Sequence, residues 1–307
     1  LIGRRERVGS RQIEKETGET RGMAIDYDQL MNLKVPEIRQ TLTQKDTMLY
    51  ALGIGLGADP LDEKQLRFVY EKDLVALPTM AVVLAPTGFL WKDPALGIDW
   101  RKLLHGEQGF VLHKPVPAEG ELVGRTRIAA VVDKGKDKGA LVFVERTVSD
   151  AKTGETIATL NSTSFMRGDG GFGGPSGPTP EPHALPDRAP DTFFEQKTLP
   201  QAALIYRLSG DYNPLHAEPE VATHAGFRQP ILHGLCSLGV AGHAVLATVC
   251  DYDPSKLKSL KLRFSSPVYP GETIRTEMWI DGKNVSFRAR VVERDVVVLN
   301  NGLVTIA

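Results

Sequence analysis

Apolar and polar residues alternate with a period of two in several stretches of the chain. Ile274, Thr276, Met278 and Ile280 fall on one face, and Val296-Val297-Val298 adds a β-branched run. This patterning predicts antiparallel strands with one buried face. In the carboxy-terminal half, strands are expected at about 273–280, 285–293 and 295–306, separated by Asp281-Gly282-Lys283-Asn284 and Glu293-Arg294-Asp295. The amino-terminal half carries the same design at about 121–132, 140–148 and 156–166. Its turns are Lys134-Gly135-Lys136-Asp137-Lys138-Gly139 and Ala151-Lys152-Thr153-Gly154. A different pattern follows Pro230, where residues 231–242 form an apolar, small-residue run without formal charge. A helix apolar on nearly all sides is a buried central helix.

The two halves also repeat in sequence. Tyr50-Ala51-Leu52-Gly53 matches Tyr206-Arg207-Leu208-Ser209 at an offset of 156, and Pro115-Val116-Pro117-Ala118-Glu119-Gly120-Glu121 matches Pro267-Val268-Tyr269-Pro270-Gly271-Glu272-Thr273 at an offset of 152. Nearly equal offsets imply a duplicated unit, each copy a helical segment followed by a meander. A length of 307 residues, beyond what one core ordinarily supports, agrees. The expected division is an amino-terminal unit at 23–167, a Gly/Pro-rich linker at 168–190 and a carboxy-terminal unit at 191–307. Met23 opens a segment that reads like a natural start, so residues 1–22 are read as a disordered or appended extension. The glycine run Gly170-Gly171-Phe172-Gly173-Gly174 lacks the Lys-Ser/Thr and the strand-to-helix context of a phosphate-cradling loop, so it reads as linker. Gly53-Ile54-Gly55-Leu56-Gly57 lacks a preceding buried strand and reads as a helix terminus.

Charge narrows the choice of partners. Lys plus Arg (37) nearly cancels Asp plus Glu (38), so no long-range field would hold a nucleic acid or an anionic membrane. An anionic ligand would have to meet a local cluster, of which Lys134, Lys136 and Lys138 form one and Lys258, Lys261 and Arg263 another. No apolar run reaches the roughly 18 to 20 residues of a membrane span. Cys236 and Cys250 lack metal-site spacing and are expected as small buried apolar residues in a reducing compartment. With no secretory pattern in residues 1–22 and no peroxisomal signal at Val304-Thr305-Ile306-Ala307, the cytoplasm is expected.

Side chains able to do chemistry concentrate between Tyr206 and Gly234, where Asp211, Asn213, His216, Glu218, His224 and His233 lie in a turn-rich stretch. Gly210, Asn213 and Pro214 would fold the chain so that Asp211 and His216 reach one point. A carboxylate and an imidazole converging on one water form a general acid/base pair. The start of the following helix, near Gly234, would offer free N–H groups to a carbonyl oxygen that gains negative charge. Spacings of eight, nine and ten between His216, His224, His233 and His243 fit no common metal pattern, so no metal is expected.

These residues resemble a known family. Tyr206 to Leu235, with Gly210-Asp211-Tyr212-Asn213-Pro214-Leu215-His216 and Pro230-Ile231-Leu232-His233-Gly234, is similar to the hydratase 2 motif of MaoC-like (R)-specific enoyl-CoA hydratases. The first half resembles the double-hotdog form of that family, found in the hydratase domain of peroxisomal multifunctional enzyme type 2. It does so through Asp46-Thr47-Met48-Leu49-Tyr50-Ala51-Leu52-Gly53, Leu104-His105-Gly106-Glu107-Gln108, Asp133-Lys134-Gly135 and the Gly170–Gly174 run.

The resemblance implies an α+β double hotdog, each copy an antiparallel sheet around a long central helix. It implies that Asp211 and His216 activate water and that the Gly234 N–H receives the thioester oxygen. His105, Gly106, Lys134 and Phe264 would contact the acyl-CoA, with Asn213 in the active-site loop and Tyr206 near the acyl pocket. The implied reaction converts a trans-2-enoyl-CoA to a (3R)-3-hydroxyacyl-CoA with no cofactor, in a homodimer. A thioesterase on the same fold and a non-catalytic acyl-thioester binder are the alternatives. Aligned on Tyr50, the first half offers Leu56 opposite Tyr212, Ala58 opposite Pro214, and Pro78-Thr79-Met80 about where Leu232-His233-Gly234 stands. That half is expected to lack the pair and to widen the cleft.

Overall fold

The computed structural model describes residues 25–307, and the extension expected at 1–22 lies outside them. Ten strands run in chain order: β1 (Ile38–Leu42), β2 (Leu103–Leu112), β3 (Gly120–Asp133), β4 (Ala140–Asp150), β5 (Thr156–Met166), β6 (Thr192–Lys197), β7 (Leu257–Phe264), β8 (Thr273–Asp281), β9 (Asn284–Val291) and β10 (Val296–Ile306). They form one sheet in the order β1-β3-β4-β5-β2-β7-β10-β9-β8-β6. From the central β2–β7 pair outward the two halves repeat one connectivity, with β1 and β6 at the edges. The fold is a double hotdog.

The expected meanders correspond to β3–β5 and β8–β10. Alternate residues of β8 are buried, as its period-two pattern requires. Asp281 pairs with Asn284 across a two-residue turn in which Gly282 takes a φ of 62°, the left-handed conformation that such hairpins need. The halves join through the β2–β7 ladder, where Glu107 opposes Arg263 and the two side chains form an ion pair.

The central segments differ. In the second half a 15-residue helix, Gly234–Thr248, buries every residue from Cys236 to Leu246. In the first half the equivalent place holds only a 3-10 helix, Pro78–Val83, not the long helix expected of each copy. Val82 and Val83 are β-branched, and Ala85 precedes Pro86 and takes a φ of 41°, so the chain cannot continue as α-helix. Two glycines bring the long helix against the first half: a Cβ at Gly242 would stand 2.2 Å from Thr79 Cγ2, and one at Gly239 would stand 2.7 Å from Ile54 Cγ2. The helix Gln44–Gly53, opened by a Thr43/Asp46 capping box, ends at the Gly53–Gly57 run as its composition predicts.

Cys236 and Cys250 are free and buried. Between Met166 and Thr192 the chain has no helix or strand. Among the described residues no helix is long and apolar enough to cross a membrane.

Candidate active site

Gly210, with a φ of 114°, ends a short helical stretch and turns the chain into Asp211. The Asp211 carboxylate accepts the Asn213 N–H at 3.1 Å, and the Asn213 side chain accepts the Leu215 N–H at 3.1 Å. These two turns set the 3-10 segment Pro214–His216, which delivers a buried His216. His216 Nδ1 lies 2.9 Å from the Ile231 carbonyl oxygen. A carbonyl can only accept, so Nδ1 carries the proton and Nε2 keeps its lone pair.

His233 occupies the N-cap position of the long helix and is buried. Its Nε2 donates to the backbone oxygen of Asp211 at 3.1 Å, and its Nδ1 is buried without a partner. One nitrogen from each histidine and a carboxylate oxygen of Asp211 all lie within 4.8 Å of one another. Burial pushes the His216 imidazole below the ordinary histidine value. Burial and then the neighbouring His216 push His233 down to about 4. Both rings are therefore neutral at pH 7.

The helix starts at Gly234 without a side-chain cap, and among the described residues no carbonyl takes the Gly234 N–H. Phe264 lies against this helix foot, since a Cβ at Gly234 would stand 3.0 Å from its ring. The Phe264 ring also meets His105 of the first half, with ring centroids 4.7 Å apart. A bulge between His105 and Glu107 interrupts the β2–β5 register at Gly106, where a Cβ would crowd the Thr163 carbonyl at 3.3 Å. His105 Nε2 is buried without a partner, and burial lowers the pKa of the ring.

The fold thus gathers Asp211, His216, Gly234, Phe264, His105 and Gly106 into one region. Asn213 serves there as a turn former through its side-chain oxygen. Lys134 stands apart, exposed on the β3–β4 turn. Tyr206 lies in the core between the halves, its ring 5.1 Å from His233 and 5.9 Å from its sequence counterpart Tyr50. Sequence reasoning assigns His233 no role. The signal available was a helix beginning directly after a histidine, where Ser, Thr, Asp or Asn is the ordinary cap.

The Asp211, His216 and His233 cluster also raises the question of a metal. The two imidazoles are stacked, with ring planes 27° apart, so their in-plane lone pairs run side by side instead of meeting at one ion. This geometry suits an acid/base site better than a ligand set.

A duplicated hotdog with chemically equipped side chains at the helix foot of one half only defines a double-hotdog enzyme. Residues 182–302 match the family described as the MaoC like domain, and residues 41–168 match the MFE-2 hydratase 2 N-terminal domain. A probable enoyl-CoA hydratase 2 of Dictyostelium discoideum is 42% identical over 294 residues, covering 92% of this chain and 97% of that protein. The crystal structure of a MaoC-like dehydratase from Phytophthora capsici superposes with a TM-score of 0.80 at 38% identity, covering 91% of this chain and 98% of that one. A Mycobacterium tuberculosis protein described as a double hotdog fold is 14% identical, with a TM-score of 0.52 over 89% of this chain and 93% of its own, and shares the fold. The chain belongs to the MaoC-like hydratase 2 family.

Proposed function

We propose that the chain adds water to trans-2-enoyl-CoA thioesters to give (3R)-3-hydroxyacyl-CoA, and catalyses the reverse dehydration. The observation that carries this reading is the convergence of the Asp211 carboxylate and the His216 ring within 4.8 Å beside an uncapped helix start at Gly234. A neutral His216 with Nδ1–H committed to Ile231 presents Nε2 to one proton of a water, and Asp211 accepts the other. The water oxygen is then free to attack C3. As the C3–O bond forms, the pair takes up a proton and returns one to C2. The Gly234 N–H, at the positive end of the helix, receives the charge that develops on the thioester oxygen.

Phe264 and His105 border the acyl thioester, Gly106 lets it approach the β2 backbone, and Lys134 meets the phosphates of CoA. No cofactor enters the scheme. The test is a spectrophotometric assay with crotonyl-CoA and a longer trans-2-enoyl-CoA, a thiol reagent present, followed by chiral analysis of the product. Loss of the enoyl absorbance without thiol release, giving the (3R) product, is expected. Release of free CoA would move the assignment to a thioesterase.

A further inference from the structure

The glycine run that reads as a linker performs a second task. It encloses an anion, and that anion is a side chain of the protein. The Asp133 carboxylate, buried at the end of β3, accepts the N–H groups of Gly171 at 2.7 Å, Gly173 at 2.8 Å and Gly135 at 2.8 Å. Its own N–H donates to the Pro175 carbonyl at 2.7 Å. Burial acts to raise the Asp133 pKa, but the glycine N–H groups more than offset it and hold the carboxyl below its ordinary value.

The cage disfavours side chains, by crowding at Gly170 and by backbone conformation at Gly135, Gly171 and Gly173. A Cβ at Gly170 would stand 2.2 Å from the Gly135 oxygen, and Gly135, Gly171 and Gly173 have φ values of 95°, 86° and 85°. The run 170–174 therefore clamps the β3–β4 turn, whose next residue is Lys134, and the Lys134 N–H closes the turn on the Gly139 oxygen at 3.0 Å.

That turn lies at the end of the sheet where the candidate site lies. His105 opposes Ser164, Ser164 opposes Val142, and Val142 opposes Val131, so His105 and Val131 share one row across the strands. Lys134 stands beyond that row, three strands from β2, about 14 Å across the sheet. A thioester held at His105 and Gly234 would place a flexible arm and then phosphates in this direction.

We infer that Asp133, caged by the linker glycines, is a positioning residue that holds Lys134 over the path of the CoA phosphates. This rests on the acyl-CoA reading above. The test compares the wild type with Asp133→Asn, Gly170→Ala and Lys134→Ala. Gly170→Ala would press on the Gly135 and Gly139 backbone of the turn while leaving the Asp133 and Lys134 side chains in place.

Calorimetric affinity for free CoA should fall about tenfold in each variant, the size of one lost charge-assisted contact. Asp133→Asn should add nothing further in the Lys134→Ala background. In Asp133→Asn and Gly170→Ala the KM for crotonyl-CoA should rise by a similar factor at unchanged kcat, while kcat/KM for crotonyl N-acetylcysteamine, which lacks the nucleotide, stays put. Undiminished CoA affinity in both Asp133→Asn and Gly170→Ala, or equal losses with the short thioester, would overturn the inference. A wild type that does not bind CoA would overturn it too. A wild type that binds CoA but leaves crotonyl-CoA unchanged defeats only the hydratase reading, and the binding comparison still decides the role of Asp133.

Discussion

The imidazole of His233 lies face to face on that of His216, with ring centroids 3.7 Å apart, and its Nε2 holds the backbone oxygen of Asp211. One side chain thus braces both members of the proposed pair: it backs the ring of His216 and pins the turn that carries Asp211. Two stacked cations would repel, so the arrangement disfavours charging both rings together, and burial lowers the pKa of each. His233→Ala should lower kcat by about tenfold to a hundredfold, the scale of a small misplacement of reacting groups. His233→Phe, which keeps the stack and loses the hydrogen bond, should lose less. Steady-state kinetics with crotonyl-CoA decide the matter, and full activity in the alanine variant would refute the bracing role.

Removing the pair itself should cost more. Asp211→Asn and His216→Ala are each expected to cut turnover by at least about a hundredfold, as for general acid/base groups. Because the Asp211 carboxylate also accepts the Asn213 N–H, the asparagine variant keeps that contact through its side-chain oxygen. Near wild-type rates in both variants would remove the two residues from the chemistry.

Acid should weaken the fold as well as the activity. His233 and His243 are each pushed by burial to about 4, against an ordinary 6.5, and His216 is lowered too. The unfolded chain therefore binds more protons than the folded one between about pH 6.5 and 4. Stability is full above that window and falls as the pH drops through it. His243 is caught between Gln196 at 2.7 Å and the Tyr252 hydroxyl at 3.1 Å, away from the candidate site. Thermal melts from pH 7.5 to 4 should show this decline, and His243→Gln should make it shallower while leaving the acid limb of kcat in place. Equal slopes in the two proteins would contradict the assignment.

Much of this architecture is legible in the sequence because its signals are local. Alternation along β3–β5 and β8–β10, turn glycines such as Gly154 and Gly282, and the uncharged run from Ile231 to Gly242 each depend on neighbouring residues. The Tyr50 and Tyr206 repeat even anticipates a contact, since the two rings pack 5.9 Å apart between the halves. What escapes is set by distance along the chain. His233 joins His216 through a stack between residues seventeen positions apart, and no spacing rule for metal or nucleophile covers that. The missing long helix of the first half escapes for another reason: Pro78 suits a helix start, and the break comes later, at Ala85 before Pro86. The anion held by Gly171 and Gly173 lies far back in the chain, at Asp133, so the run reads as a linker alone.

Gly234 should resist enlargement for a reason unrelated to backbone freedom. A Cβ there would press on Phe264 at 3.0 and 3.2 Å, and Phe264 in turn packs on His105. Alanine favours helix over glycine by up to about 1 kcal/mol in a helix interior, so Gly234→Ala should fold normally. Its kcat/KM should nevertheless fall, by about tenfold, as Phe264 shifts into the thioester site. Phe264→Leu added to Gly234→Ala should recover part of the loss. A Gly234→Ala protein as active as wild type would show that this crowding does not matter.

A close approach between the two central segments offers a test of the fold. Gly242 of the long helix faces Thr79 of the 3-10 helix Pro78–Val83, and an added Cβ would stand only 2.2 Å from Thr79 Cγ2 but 3.6 Å from Thr79 Cβ. Thr79 is itself buried, so the methyl has little room to retreat. Gly242→Ala should therefore destabilise the protein by about 1–3 kcal/mol, the usual cost of overpacking, in spite of alanine's higher helix propensity. Thr79→Ser removes the obstructing methyl and leaves the hydroxyl. Alone it should cost about 1 kcal/mol or less, as for loss of one buried methyl. Combined with Gly242→Ala it should restore most of the lost stability, giving a clear favourable coupling in a double-mutant cycle measured by denaturant unfolding. Additive losses would mean that the two segments do not meet at these residues, and that the long helix does not lean on the first half in the way described.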